Sequence, residues 1–326
     1  MNQSPIFLFG PHKSGTSLLR SLLNGHNDLF TIPIESHIFM LLGYWIDNEY
    51  RKQKPENVQS GEILERFCNF IKENNQLDNP FGGSNATGFF NENKFKQSME
   101  NIQDAFDDKK TIELYFESIH QSLNDSELGD LRVVEKSVEN AEFALELNKY
   151  FPNAKFVHII RNPYANLVSM RKFKMTGNQY PILRRILKTL YNSYYFLEKN
   201  KRLIENYHVL KYEDLVSSPE ATMNQICDFL EIDFEPILLS PTKSGKIWTG
   251  NSMSGEKFNK ISKSRIGSWK EEISSMEVSY INNLFPFVIE NYAYEKFEMN
   301  GAFWKPEKGE DLKRYFANRF YKFYLK

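Results

Sequence analysis

The segment Ile6–Leu19 (IFLFGPHKSGTSLL) sets the strongest limit on what this chain can fold into. Four apolar residues run up to Gly10, and leucines at 18, 19, 22 and 23 recur at helical spacing. A short buried strand that turns through a glycine loop into a helix belongs to a parallel sheet covered on both faces. Such a loop aims backbone N–H groups and the positive end of a helix dipole at an anion. His12, Lys13 and Ser14 lie in the loop, and Gly15, Thr16 and Ser17 open the helix. Lys13 adds a mobile positive charge, and Thr16 and Ser17 add hydroxyl donors. The order differs from a nucleoside triphosphatase loop, G-x-x-x-x-G-K-S/T, because Lys13 precedes the second glycine.

The same alternation continues along the chain. Hydrophobic patterning predicts strands at 6–10, 30–34, 131–134, 155–160 (KFVHII) and 207–211, with helices at about 15–25, 139–151, 164–176, 180–204 and 218–231. Residues 38–128 change in texture. They are polar, with breaks at Pro55, Pro80 and Gly82-Gly83, and helices are expected near 38–50, 60–74, 93–106 and 110–124. This stretch is too long for a loop and reads as a helical insertion that shapes an acceptor pocket. The expected fold is a P-loop-like three-layer α/β domain over residues 1–326, a central parallel sheet flanked by helices. Ligands in such sheets sit beyond the carboxyl ends of the strands.

Polar residues gather at those ends. Arg161 follows KFVHII, Pro163 suits the first turn of a helix, and Ser169 lies eight residues after the arginine. Arginine and serine there can grip one phosphate together. Glu35 and His37 follow the second strand, and Lys136 follows the third. Tyr212 offers a stacking face, and Arg265, Ile266 and Gly267 offer charge and backbone donors. Each has a plain alternative: a salt-bridged arginine, a helix-capping glutamate, a surface lysine or loop, a core tyrosine.

Together the motifs resemble the sulfotransferase family, in the family's order and over most of the chain. Lys13-Ser-Gly-Thr-Ser17 is similar to the 5′-phosphosulfate loop. Arg161-Asn-Pro with Ser169 is similar to the 3′-phosphate signature. Tyr212-Glu-Asp-Leu215 resembles the segment beside the adenine, and Ser264–Trp269 (SRIGSW) the segment that closes over the 3′-phosphate. Glu35-Ser-His-Ile-Phe39 resembles the E-x-H-x-F stretch of the heparan-type branch. Val134-Glu-Lys-Ser137 resembles its EKTP stretch in part, with Val138 where that motif has proline. Nothing at 38–128 matches a family motif. The resemblance implies 3′-phosphoadenosine-5′-phosphosulfate (PAPS) as donor and adenosine-3′,5′-bisphosphate as product. It implies binding by His12 to Ser17, Arg161, Ser169, Tyr212 and Arg265 to Gly267. It also implies a glutamate base at Glu35, with His37 in reserve, assistance from Lys13 and Lys136, and a carbohydrate or glycolipid hydroxyl as acceptor. The scheme requires no metal. A kinase using ATP and a non-catalytic nucleotide binder are the alternatives; the missing lysine after Gly15 counts against the kinase.

Composition adds exclusions. A net charge of −1 argues against broad nucleic-acid binding. The two cysteines, Cys68 and Cys227, read as separate reduced thiols. No apolar run is long enough to span a bilayer, and no signal peptide opens the sequence, so a cytoplasmic enzyme is expected. The tail 312–326 (LKRYFANRFYKFYLK) sets Leu312, Phe316, Phe320 and Phe323 on one helical face among basic residues. It either packs on its own domain or lies on an anionic membrane, at the inner face of the cell membrane.

Overall fold

The structure, a computed structural model, describes residues 1–44, 60–75, 90–100, 107–124, 126–243, 245–248, 250 and 260–320. Its centre is a five-stranded parallel sheet of β1 (Ile6–Phe9), β2 (Leu29–Thr31), β3 (Arg132–Lys136), β4 (Lys155–Ile160) and β5 (Tyr207–Lys211). The spatial order is β2-β3-β1-β4-β5. β1 therefore lies at the switch point, where the connections diverge and a crevice opens. The strands match the expected ones to within a residue or two at most ends. β2 is the shortest, ending two residues before Pro33, which has no N–H to give a ladder.

The alternation of side chains along β1 divides the core. Phe7 and Phe9 enter one apolar cluster, Ile6 and Leu8 the other. The second cluster is closed by α1 (Thr16–Leu23) and, further along the chain, by the helix Pro219–Leu230. The first is covered by the helices of the insertion region: α2 (Ile38–Leu41), α3 (Ser60–Asn75), α4 (Glu92–Met99) and α5 (Asp108–Leu123). Asn91 and Asp107 cap α4 and α5 by accepting from backbone N–H groups. Phe67 of α3 packs on Tyr115 of α5 at 4.3 Å between centroids, and Phe116 meets Phe7 at 6.5 Å. The described part of the insertion is thus a layer on the sheet. The expected helical residues 42–50 and 100–106 fall largely outside the described residues, as do Pro55, Pro80 and Gly82-Gly83.

Beyond β3 the chain makes a 3-10 turn at Val138–Phe143 before α6 (Ala144–Tyr150), so the expected helix at 139–151 is only half α-helical. α7 (Pro163–Lys174), α8 (Leu183–Leu203), α9 (Tyr212–Ser217) and α10 (Pro219–Leu230) follow. Pro163 occupies the first turn of α7, and the Asn162 side chain accepts from the N–H groups of Tyr164 and Ala165. A two-stranded antiparallel pair, β6 (Thr242–Lys243) and β7 (Lys246–Ile247), precedes α11 (Ser275–Leu284), α12 (Pro286–Asn291) and α13 (Leu312–Phe320). A capping box between Ser274 and Glu277 starts α11. Glu277 also binds Arg171 at 2.7 Å, and both side chains are buried, so α11 clamps α7 against the body. Among the described residues, no helix is long and apolar enough to cross a membrane.

Candidate functional site

A cavity of about 700 Å³ opens at the carboxyl ends of β1, β3 and β4. Its floor is the β1–α1 loop. Gly10 and Gly15 take positive φ of 153° and 111°, and Lys13 adopts a left-handed φ of 64°. The loop has no room to spare. A Cβ on Gly10 would stand 2.4 Å from the Ile159 carbonyl, and one on Gly15 would stand 2.6 Å from the Tyr212 ring. Gly15→Ala is therefore expected to displace Tyr212 and cost about 1–3 kcal/mol of stability. A thermal melt together with a bisphosphate titration checks this; an unchanged melt with unchanged binding would count against the packing account.

Lys13, after β1, and Glu35, after β2, face the cavity from either side of the β3 end. The Lys13 ammonium sits 4.3 Å from the centre of the Phe173 ring. Burial and the nearby Lys136 charge lower its pKa, against the pull of Glu35. Lys136, almost wholly enclosed, donates to the Glu35 carboxylate. Burial pushes the Glu35 pKa up, but the Lys136 charge and hydrogen bond, helped by His12 and His37, hold it down at about 2. The carboxylate is ionised at every ordinary pH. The stability this pair contributes is present above the usual carboxylate range and is lost as pH falls through about 2. His12 is lowered by its enclosed position and by Lys136. His37 is raised: burial opposes this, but a hydrogen bond and the charge of Glu139 outweigh it.

These strand ends are held by a second set of groups. Glu135, fully buried on β3, accepts from Ser36 Oγ at 2.5 Å, Ser137 Oγ at 2.6 Å and Asn140 Nδ2 at 2.9 Å. Burial raises its pKa even so. Tyr115 of α5 donates to the Ser36 carbonyl at 3.1 Å, and the Phe70 ring of α3 lies edge-on to His37 at 5.7 Å. The insertion thus buttresses the Glu35–His37 turn. Its described residues beyond Met40 do not line the cavity, where the pocket-shaping insertion was expected to do so.

The other wall carries Arg161, Ser169, Tyr212 and Arg265. Arg161 donates to the Lys13 carbonyl at 3.1 Å, and its guanidinium lies 4.6 Å from the centre of the Tyr212 ring. One arginine thereby ties the β4 end to the β1 loop and to α9. Asn166 of α7 donates to the His12 carbonyl at 2.6 Å, which fixes the same loop from the helix side.

The sequence matches the Sulfotransferase family over residues 5–236. The chain belongs to the sulfotransferase family. A relative from Mycobacterium bovis, omega-hydroxy-beta-dihydromenaquinone-9 sulfotransferase, is 30% identical over 101 residues, covering 27% of this chain and 26% of that protein. The chain thus spans about a quarter of the length of the curated relatives it matches. A sulfotransferase domain from the curacin biosynthetic pathway superposes with a TM-score of 0.57 at 23% identity, covering 90% of this chain and 99% of that domain. The sulfotransferase domain of the Synechococcus PCC 7002 olefin synthase gives 0.53 at 20% identity, covering 90% and 96%. These two likenesses show the shared fold.

Within this sulfotransferase-family fold, most of the residues singled out by motif converge. His12, Lys13, Gly15, Thr16 and Ser17 line the cavity, as do Glu35, His37 and Lys136 on one side and Arg161, Ser169, Tyr212 and Arg265 on the other. Three do not line it. Ser14 is buried beneath the loop, where its N–H already serves the turn by donating to Pro11 O at 3.1 Å. Ile266 points outward, and Gly267, at φ 85°, caps the short helix Ser268–Glu271. The structure adds roles that no motif assigns: Glu139 on His37, Glu135 beneath the Glu35 turn, Phe173 under Lys13 and Asn166 behind the loop. Glu135 lies within the EKTP-like stretch and Asn166 between Arg161 and Ser169, so these two sit inside a visible signal.

Proposed function

We propose that the protein moves the sulfuryl group of PAPS to an acceptor hydroxyl by a single in-line displacement. The observation that carries this reading is the bond from Arg161 to the Lys13 carbonyl, which sets a second anion-binding group directly beside the β1 loop. A loop alone suits any 5′-phosphate. A loop joined to Arg161 and Ser169 suits a donor with a 3′-phosphate as well.

In this reading Glu35 takes the acceptor proton. Held at about 2, its carboxyl is a weak base while Lys136 binds it. Lys136 turning towards the donor's charge would free the carboxylate. Lys13, with Lys136 and the loop amides, balances charge on the departing 5′-phosphate. Glu35, His37 and Glu139 place three ligand-type atoms within 4.8 Å of one another, a geometry that could hold a cation. Lys136 donates to Glu35 and His37 pairs with Glu139, and the proposed scheme routes no step through a metal. Dialysis against a chelator is expected to leave turnover unchanged; a lasting loss restored by a divalent ion would place a metal on this cluster.

For the acceptor we propose a carbohydrate or glycolipid hydroxyl. The E-x-H-x-F resemblance supports the sugar. Met40 and Phe173, large apolar side chains left exposed on the cavity wall, suit the lipid end. The two free cysteines agree with a reducing, cytoplasmic setting. Incubation with labelled PAPS and a panel of glycolipids, sugars and simple alcohols tests the assignment. Label on a hydroxyl acceptor is the expected result; transfer only of phosphate from labelled ATP would overturn it.

A further inference from the structure

The C-terminal helix α13 is built inside out. Its inward side is polar. Asn318 accepts from the Leu183 N–H at 2.8 Å and donates to the Pro181 carbonyl at 3.1 Å. Arg319 donates to both Glu310 oxygens at 2.6 and 2.7 Å, with neither side chain exposed. Its outward side is apolar. Leu312 and Phe316, one turn apart, are 77% and 51% exposed. Trp304, 50% exposed, continues the stripe through Phe320, whose ring lies 5.9 Å from both Trp304 and Phe316. A helix on a water-facing surface normally has the reverse polarity. Here a buried ion pair and an asparagine held by three hydrogen bonds keep the apolar stripe outward, so its exposure is fixed by the fold.

We propose that this face docks on an anionic lipid surface. Charge favours that occupant. Lys305 and Lys313, each next in sequence to a stripe residue, and Lys308 between them are exposed. Asp311 is neutralised by Arg314, and Glu310 by Arg319. Glu307, half-buried between Lys305 and Lys308, is the remaining acid, so the segment keeps a net positive charge on a chain whose net charge is −1. Tryptophan, phenylalanine and leucine inserted shallowly beneath a lysine rim make the pattern of a helix that lies in a bilayer interface. The inference stands apart from the donor chemistry, since none of these residues lines the cavity.

Cosedimentation of the full chain with vesicles tests it. Vesicles of phosphatidylcholine with phosphatidylglycerol should bind at least roughly tenfold more tightly than phosphatidylcholine alone, less so at high salt. Changing Lys305, Lys308 and Lys313 together to glutamate should weaken binding by roughly a hundredfold or more. All three lysines are exposed, and Lys305 meets Arg319 through its backbone carbonyl, which the substitution keeps, so that variant should keep its melting temperature. Leu312→Asp with Phe316→Asp should lose roughly tenfold or more. Equal binding to both vesicle types, no binding at all, or variants that bind like the parent would overturn the proposal. So would a dimer of the parent chain that the Leu312→Asp, Phe316→Asp variant turns into monomer, which would assign the face to a second copy.

Discussion

Glu35→Gln is expected to lower kcat by roughly 10²–10⁴-fold while leaving adenosine-3′,5′-bisphosphate binding in place. The side chain faces the cavity, is ionised throughout the working pH range and sits beside Lys13. The amide keeps the shape and can still accept from Lys136, but it cannot take a proton. It also leaves the enclosed Lys136 charge without its counter-ion, which costs stability. Melting temperature and bisphosphate affinity are therefore measured beside turnover. Full binding with turnover lost assigns the base to Glu35. Retained turnover would move the base to His37, whose Nδ1 is tied to Glu139 and whose pKa is raised.

Arg161→Ala carries the second large effect. Charge-assisted hydrogen bonds to a phosphate contribute about 1.5–3 kcal/mol each. Loss of the guanidinium is expected to weaken the bisphosphate by roughly 10–100-fold. Adenosine-5′-phosphate, which lacks the 3′-phosphate, should lose far less. The contrast separates phosphate recognition from general damage, because Arg161 also packs on Tyr212 and bonds the Lys13 carbonyl. An equal loss for both ligands would reduce Arg161 to a brace for the loop.

The sheet was legible because its strands are short apolar runs closed by Gly10, Pro33 and Arg161, each of which stops or redirects the chain. The two ends of the site were legible for the same reason: the chemistry sits where a strand stops. What holds those ends was not. Glu135 lies inside the EKTP-like stretch, but the motif does not say what holds it, and only the fold brings Ser36, Ser137 and Asn140 onto it. Glu139 meets His37 across 102 residues of chain. No local pattern encodes a pairing of that kind. The insertion was legible as helices but not in its duty, since Tyr115 reaches Ser36 from 79 residues away. α9 was hidden because Tyr212-Glu-Asp-Leu215 is read first as a motif. The capping box at Ser274 and Glu277, by contrast, is a helix start written in the sequence. The tail reverses the usual rule that an apolar stripe faces inward, so periodicity gives its helix and not its orientation.

In the proposed function the β1 loop and Arg161 together hold a nucleotide carrying both 5′- and 3′-phosphates. Calorimetric titration of the unmodified protein with adenosine-3′,5′-bisphosphate and with ATP, under the same buffer and salt, tests it most directly. Tighter binding of the bisphosphate is the expected result. Tighter binding of ATP would contradict it.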